Sequence, residues 1–273
     1  MDLQRYLARI HYRGTPSVNV ETLREIHSQH LLHIPYENLD VQLGHPVDLN
    51  VERIYNKIVE RQRGGWCYEM NGLLGWALET IGFEVMRMAG AVMRAVEGEG
   101  QVGNHLVLQV MLDQPYLADV GLGDGLREPI PLREGCYQQE FLHYRLEHLQ
   151  DGYWRLHNQP GSNVSSFDFK QEPASEQLLA EKCQWLQTDE ESPFKKLFVA
   201  YRFTPVSVLM QLGKTFTVVD DGRSTKTEIH DLSAFNAHMA KTFGLNEDFS
   251  ELWPSITAAH ERFMSNNQPS GPD

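Results

Sequence analysis

Residues 67 to 83 read "CYEMNGLLGWALETIGF", and this stretch constrains the fold more than any other. Met70, Leu73, Leu74, Ala77, Leu78 and Ile81 recur at helical spacing and form one continuous apolar stripe. A helix this apolar has to be covered by other elements, so the stretch predicts the buried centre of its region. Cys67 stands at its N-terminus, directly after "RGGW". Three shorter patterns precede it. "DLQRYLARI" places Leu3, Tyr6, Leu7 and Ile10 on one face. "NVETLREIHSQHLL" does the same with Leu23, Ile26 and Leu31, with Asn19 as N-cap. "NVERIYNKIVERQRGG" starts from a cap at Asn50, carries Ile54 and Ile58, and ends in glycines suited to a C-cap.

After residue 83 the period changes. "FEVMRMAGAVMRAV", "HLVLQVML", "PYLADV", "FLHYRLEHL" and "GYWRLHNQ" are short, β-rich and separated by turn signals such as "QDG". They predict a mostly antiparallel sheet or barrel over residues 84–160. Residues 161–192 are polar and read as irregular. From 205 onward, "VSVLMQL", "TFTVVDDG" and "TKTEIH" read as three strands. Two helices follow, "DLSAFNAHMAKTFG" capped by Asp231, and "PSITAAHERFMS". The tail "NNQPSGPD" is expected to be disordered. A chain of 273 residues fits two or three compact units sharing one body.

Charge narrows the partners. The net charge is −13, from 24 basic and 37 acidic residues, a field that repels nucleic acid and anionic membranes. A small phosphorylated ligand on a local basic patch stays compatible with it. No apolar run reaches membrane-spanning length, and "MDLQRYLARI" lacks a signal-peptide pattern, so a cytoplasmic protein is expected. The sequon "NVS" at Asn163 then carries no glycan. Cys67, Cys136 and Cys183 are odd in number and far apart, which argues against a disulfide framework. There is no CxxC or HExxH; the HxxH of His30 and His33 reads as a helix surface, and no metal is expected. "GEGQVG" at 98–103 fits G-x-G-x-x-G but precedes a strand instead of opening a helix. It fails the dinucleotide context and reads as a flexible loop.

The chemistry centres on Cys67. Unpaired N–H groups and the dipole at a helix start favour a thiolate. A cysteine alone is as readily a buried, inert side chain. The two preceding glycines, Gly64 and Gly65, permit the close backbone approach that a reactive turn needs. Arg63 and Glu37 read either as an ion pair bracing that turn or as two independent surface charges. In "HLVLQVMLDQPYLADVGLG", His105 opens one strand and Asp119 closes the next, with "LDQ" as the hairpin turn. A turn centred on Leu112 puts His105 opposite Asp119 on one face; a turn two residues later makes them diagonal neighbours on the same face. Cys67, His105 and Asp119 then match nucleophile, base and orienting acid.

"IPYENLD" at 34–40, "RGGWCYE" at 63–69 and "DVGLG" at 119–123, in this order, resemble the boxes of the arylamine N-acetyltransferases. "SPF" at 192–194 and "FGL" at 243–245 extend the resemblance over nearly the whole chain. It implies an α+β fold: an N-terminal helical bundle at 1–83, a central antiparallel β-barrel at 84–192 and a C-terminal α/β lid at 193–273. It also implies a Cys67–His105–Asp119 triad with acetyl-CoA as donor. The same resemblance implies an arylamine, hydrazine or hydroxylamine acceptor, as in xenobiotic metabolism. Tyr36, Leu122 and Phe194 are pocket walls by the same resemblance. The family usually has Phe where this chain has Tyr36 and Leu122; a lost pocket aromatic weakens stacking on an aryl amine by ~0.5–1.5 kcal/mol unless replaced. An asparagine and a Thr-His-Pro-type run usually precede "SPF", where this chain has Cys183 and "TDEE". Lys195, Lys196, Arg202 and Lys214 are candidates to meet coenzyme A phosphates. The residues alone also fit a cysteine hydrolase, a transglutaminase-like enzyme, or a binder that keeps the fold without the reaction.

Overall fold

The computed structural model describes residues 1–266. The helix predicted at the centre spans Cys67–Ile81 and is buried along most of its length. Gly82 ends it at φ 113°, in the left-handed region that glycine tolerates. Leu3–Arg9 and Val20–His33 pack against it, the latter capped by Asn19, whose Oδ1 accepts from Thr22 N at 2.8 Å. Tyr6 and Tyr55 meet the Trp76 ring edge-on, at 6.1 and 5.4 Å between centroids.

Two helical expectations need correction. The HxxH pair is not a helix surface: His30 is fully buried, its Nδ1 2.9 Å from Tyr6 Oη. Val20–His33 packs against both the central helix and the strand Val199–Phe203, so more than one of its faces is covered. The helix capped by Asn50 spans only Val51–Tyr55, continues as a π turn over Asn56–Glu60, and stops at Arg61. The glycines therefore do not cap it. Gly65 N donates to Pro35 O at 3.2 Å, and Glu37 N donates to Gly65 O at 2.9 Å. A Cβ on Gly64 would lie 2.2 Å from Pro35 O and 2.7 Å from Glu37 Cγ. Backbone cannot yield at that distance. Gly64→Ala is expected to destabilise the fold by about 3 kcal/mol, read as a lower urea midpoint at unchanged slope.

Eight antiparallel strands form the larger sheet, in the order Ile130–Pro131, Pro115–Ala118, His105–Met111, Glu84–Val92, Ser166–Phe169, Trp154–His157, Leu142–His148, Gly135–Gln139. The two end strands are neighbours in sequence, and Tyr137 Oη donates to Pro131 O at 3.1 Å across the gap. The sheet thus curls into a nearly closed barrel. Residues 161–192 are not irregular. Ser166–Phe169 lies inside the sheet with all four residues buried, and Glu176–Thr188 is a helix capped by Ser175. Asp168 hides that strand from a hydrophobicity reading; Arg155 and Arg94 neutralise it at 2.6 and 2.8 Å. The "GEGQVG" stretch contains a 3₁₀ turn, Glu99–Gln101.

A second sheet orders Tyr36–Glu37, Val199–Phe203, Ser207–Leu212, Thr215–Asp220 and Arg223–Glu228, all antiparallel. Its second strand lies before residue 205, where the sequence reading began. Helix Leu232–His238, capped by Asp231, and helix Trp253–Asn266 flank this sheet, around a core of Phe198, Phe235, Phe243 and Phe249. The architecture is α+β. Most of the predicted tail, from 267 on, lies outside the described residues. Among the described residues all three cysteines are free, and no helix is long and apolar enough to cross a membrane.

Candidate active site

The hairpin pairs Leu108 with Ala118 and Met111 with Pro115, which centres the turn on Asp113 instead of Leu112. Continued, that register sets Asp119 opposite Val107, two positions from His105. The direct pairing is corrected to the diagonal one, and the shared face survives because a two-residue offset preserves strand parity. His105 Nε2 lies 2.8 Å from Asp119 Oδ2, with both residues buried. His105 sits opposite Gly90, where a Cβ would fall 3.0 Å from the His105 Cβ and Cδ2.

Asp119 is held on every side. Its Oδ1 accepts from Asn71 Nδ2 at 2.7 Å and from Gly121 N at 2.8 Å. Burial works to raise its pKa, but His105 and these donors outweigh it and hold the carboxyl below its ordinary range. Asn71 also donates to Leu106 O at 2.6 Å and accepts from Val120 N at 2.9 Å. It therefore ties the helix of Cys67 to both strands of the hairpin. Asn71 is the one amide inside an apolar stripe, a signal that could have marked it in the sequence. Asn71→Ala orphans Val120 N and is expected to cost about 1–3 kcal/mol, measurable by chemical unfolding.

Asp119 N donates to His27 Nε2 at 3.2 Å, and His27 Nδ1 lies 3.1 Å from Arg127 O. These partners fit a neutral ring, donor at Nδ1 and acceptor at Nε2. Burial lowers the pKa of His27 from 6.5 to about 4. The unfolded chain binds this proton first, so stability is lost as pH falls from about 6.5 towards 4, by up to about 3 kcal/mol. Urea unfolding from pH 7 to 4 is expected to show that loss, and His27→Gln to flatten the profile. No local pattern marks His27, which meets Asp119 only through tertiary packing.

Cys67 occupies the first helical position and is 2% exposed. Its Sγ lies 3.9 Å from Asn104 O, against the start of the His105 strand. A Cβ on Gly121 would meet Cys67 Cα at 2.8 Å and Asn71 Nδ2 at 2.5 Å, so the loop after Asp119 closes directly on the cysteine. Burial opposes the thiolate that a helix start favours. Burial pushes the thiol well above its ordinary value; Cys183 and Asp119 add to this, and the N–H groups of Leu106 and Tyr68 only partly oppose it. In so dry a place a thiolate needs a cation beside it.

The predicted Arg63–Glu37 ion pair is present. Arg63 Nη2 lies 2.9 Å from Glu37 Oε1 and 3.4 Å from Asp40 Oδ1, and its Nε lies 3.1 Å from Glu247 Oε1. Tyr36 packs edge-on against Tyr201 at 5.7 Å, and Phe194 against Trp66 at 5.2 Å. Leu122 is buried. Arg202 is spent on Leu32 O and Thr242 O. Lys214 pairs with Glu228, and Lys196 with Glu191. Among the described residues no cluster of three or more His, Cys, Asp or Glu could hold a metal ion.

A buried thiol, an imidazole locked to a carboxylate, and a helix start together define the class of thiol–imidazole–carboxylate proteins. An N-acetyltransferase family model matches residues 19–252. The arylamine N-acetyltransferase of Mycolicibacterium smegmatis is 43% identical over 181 residues, 63% of this chain and 66% of that one. The arylamine N-acetyltransferase of Escherichia coli K12 is 31% identical over 90% of this chain and 89% of its own. The structure of Mycobacterium marinum arylamine N-acetyltransferase in complex with CoA superposes with a TM-score of 0.85 at 28% identity, covering 96% of this chain and 99% of that one. The chain belongs to the arylamine N-acetyltransferase family, and is an acyltransferase. That membership favours acyl transfer over the hydrolase and non-catalytic readings.

Proposed function

We propose that this enzyme transfers the acetyl group of acetyl-CoA through Cys67 to an arylamine, arylhydrazine or arylhydroxylamine. The observation that carries the proposal is the bond from His105 Nε2 to Asp119 Oδ2, with the Cys67 thiol seated against residues 104–106. A proton on Nε2, held by the carboxylate, leaves Nδ1 bare as the base. His105 Nδ1 takes the thiol proton, and the sulfur attacks the thioester carbonyl. The imidazolium formed is the cation that the buried thiolate requires. The Cys67 backbone N–H, at the helix start, faces the developing oxyanion. The tetrahedral adduct collapses, the C–S bond to coenzyme A breaks, and CoA leaves with the proton from His105. The amine then attacks the acetyl-cysteine, His105 accepts its proton, and the Cys67 sulfur is released and reprotonated.

Tyr36, Leu122 and Phe194 wall the acceptor site in this reading. Arg63, Glu37, Gly64 and Gly65 hold the cysteine turn, whose burial keeps water from the acetyl-cysteine. Three units, 1–83, 84–192 and 193–273, contribute the thiol, the His–Asp pair and a lid. The enzyme works in the cytoplasm. Intact mass after acetyl-CoA, with no acceptor, is expected to show one acetyl adduct on Cys67 that an arylamine discharges. A parent enzyme that never carries the adduct overturns the proposal.

A further inference from the structure

Beneath the cysteine turn lies a buried ion pair that this reaction does not use. Trp66 holds the N-cap position of the helix, and its indole offers no acceptor to the first amides. Glu69 reaches back in its place: its Oε2 accepts the Trp66 N–H at 3.2 Å. The same oxygen accepts from Lys57 Nζ at 2.8 Å, and that nitrogen lies 2.8 Å from Asp40 Oδ2. Glu69 is 3% exposed and Lys57 4%. A Cβ on Gly65 would fall 2.8 Å from Glu69 Cβ, so the turn before Cys67 is moulded on this side chain. Lys57 comes from the π turn Asn56–Glu60, a form that recurs at functional sites. Arg63 serves other carboxylates, Glu37 and Glu247, and meets the pair only at Asp40. Burial is the largest influence driving the Glu69 carboxyl upward, Glu37 and Asp40 add to it, and Lys57 is the charge opposing it.

We propose that Lys57 is a positioning residue for acyl transfer: it pins Glu69 Oε2 against the Trp66 amide and so sets where Cys67 Sγ stands relative to His105. The proposal rests on the acetyl-cysteine reading, and Lys57 touches no substrate atom. Without the ammonium, Glu69 is a buried carboxyl with no cation, held in its rotamer by the Trp66 N–H alone. The first helical turn then loses its cap one residue before the nucleophile. A misplacement of about 1 Å suffices to slow such a reaction by roughly a hundredfold.

The experiment is single-turnover acetylation of the full chain by acetyl-CoA, followed by quenched intact mass. It compares the parent, Lys57→Met, and Lys57→Met combined with Glu69→Gln. Lys57→Met is expected to slow acetylation by roughly ten- to a hundredfold, with the KM for acetyl-CoA within about twofold. In the double variant a neutral amide oxygen accepts the Trp66 N–H and needs no cation, so at least about tenfold is expected to return. A Lys57→Met rate equal to the parent's overturns the proposal. So does a loss that follows the unfolded fraction seen by circular dichroism, or one that the double variant does not recover. Failure of the parent to take up acetyl overturns the acetyl-cysteine reading itself, a result distinct from all of these.

Discussion

Asp119→Asn is expected to lower kcat/KM by on the order of 10⁴-fold while leaving the fold intact. The reason lies in which oxygen is already committed. Oδ1 of Asp119 accepts from Asn71 Nδ2 and Gly121 N, two donors that only an oxygen can serve. The amide oxygen of the substituted side chain therefore takes that side, and its NH₂ replaces Oδ2 opposite His105 Nε2. An amide there donates, so Nε2 must be the bare nitrogen and the ring proton moves to Nδ1. The nitrogen needed to take the Cys67 proton is then occupied. Raising the pH does not repair a wrong tautomer, so the loss is expected to persist across the pH–rate profile. A profile merely shifted, with full activity at high pH, would contradict this account. Iodoacetamide alkylation of Cys67 at neutral pH is expected to slow in parallel, because Nδ1 can no longer take the thiol proton.

Cys67→Ala is expected to abolish the acetyl adduct and to cost on the order of 10⁴-fold or more in transfer. Removing one buried sulfur is a small packing change, about 1 kcal/mol, so the variant should fold and still bind both substrates. What it loses is the covalent step, without which amine and thioester must react directly in the site. Parallel double-reciprocal lines for the parent mark two separate half-reactions. An acetyl adduct of equal yield on Cys67→Ala, at Cys136 or Cys183, would refute the assignment. Cys183 is the stronger control, since burial pushes its pKa up to about 12.

Much of this site was legible before any fold was known. The helical period of 67–83 predicted the buried centre and placed a cysteine at its start. Strand alternation placed His105 and Asp119 on one face without the correct register, because face depends only on parity. Asn19, Asn50 and Asp231 were recognisable as caps, since a cap bonds to an amide three positions on. The Arg63–Glu37 ion pair named from the sequence is present, although its partners stand 26 positions apart. Ser166–Phe169 was missed because Asp168 breaks its apolar pattern, and the two arginines that neutralise it lie elsewhere in the chain. His27 and Lys57 were missed for a related reason. Each acts on a residue 12 or more positions away, His27 on Asp119 and Lys57 on Glu69.

The sequence by itself determined which elements present Cys67, His105 and Asp119, because periodicity, capping and strand parity are set within a few neighbouring positions. The tertiary structure alone decided how deeply they are buried. A helix start favours a thiolate when water can reach it, but Cys67 is closed in by the hairpin and the Gly121 loop, and burial pushes its thiol upward. Desolvation depends on everything packed around a group, which no local stretch of sequence contains. The ionisation of Cys67 is therefore set by the assembled site, where the helix start and burial act in opposite directions.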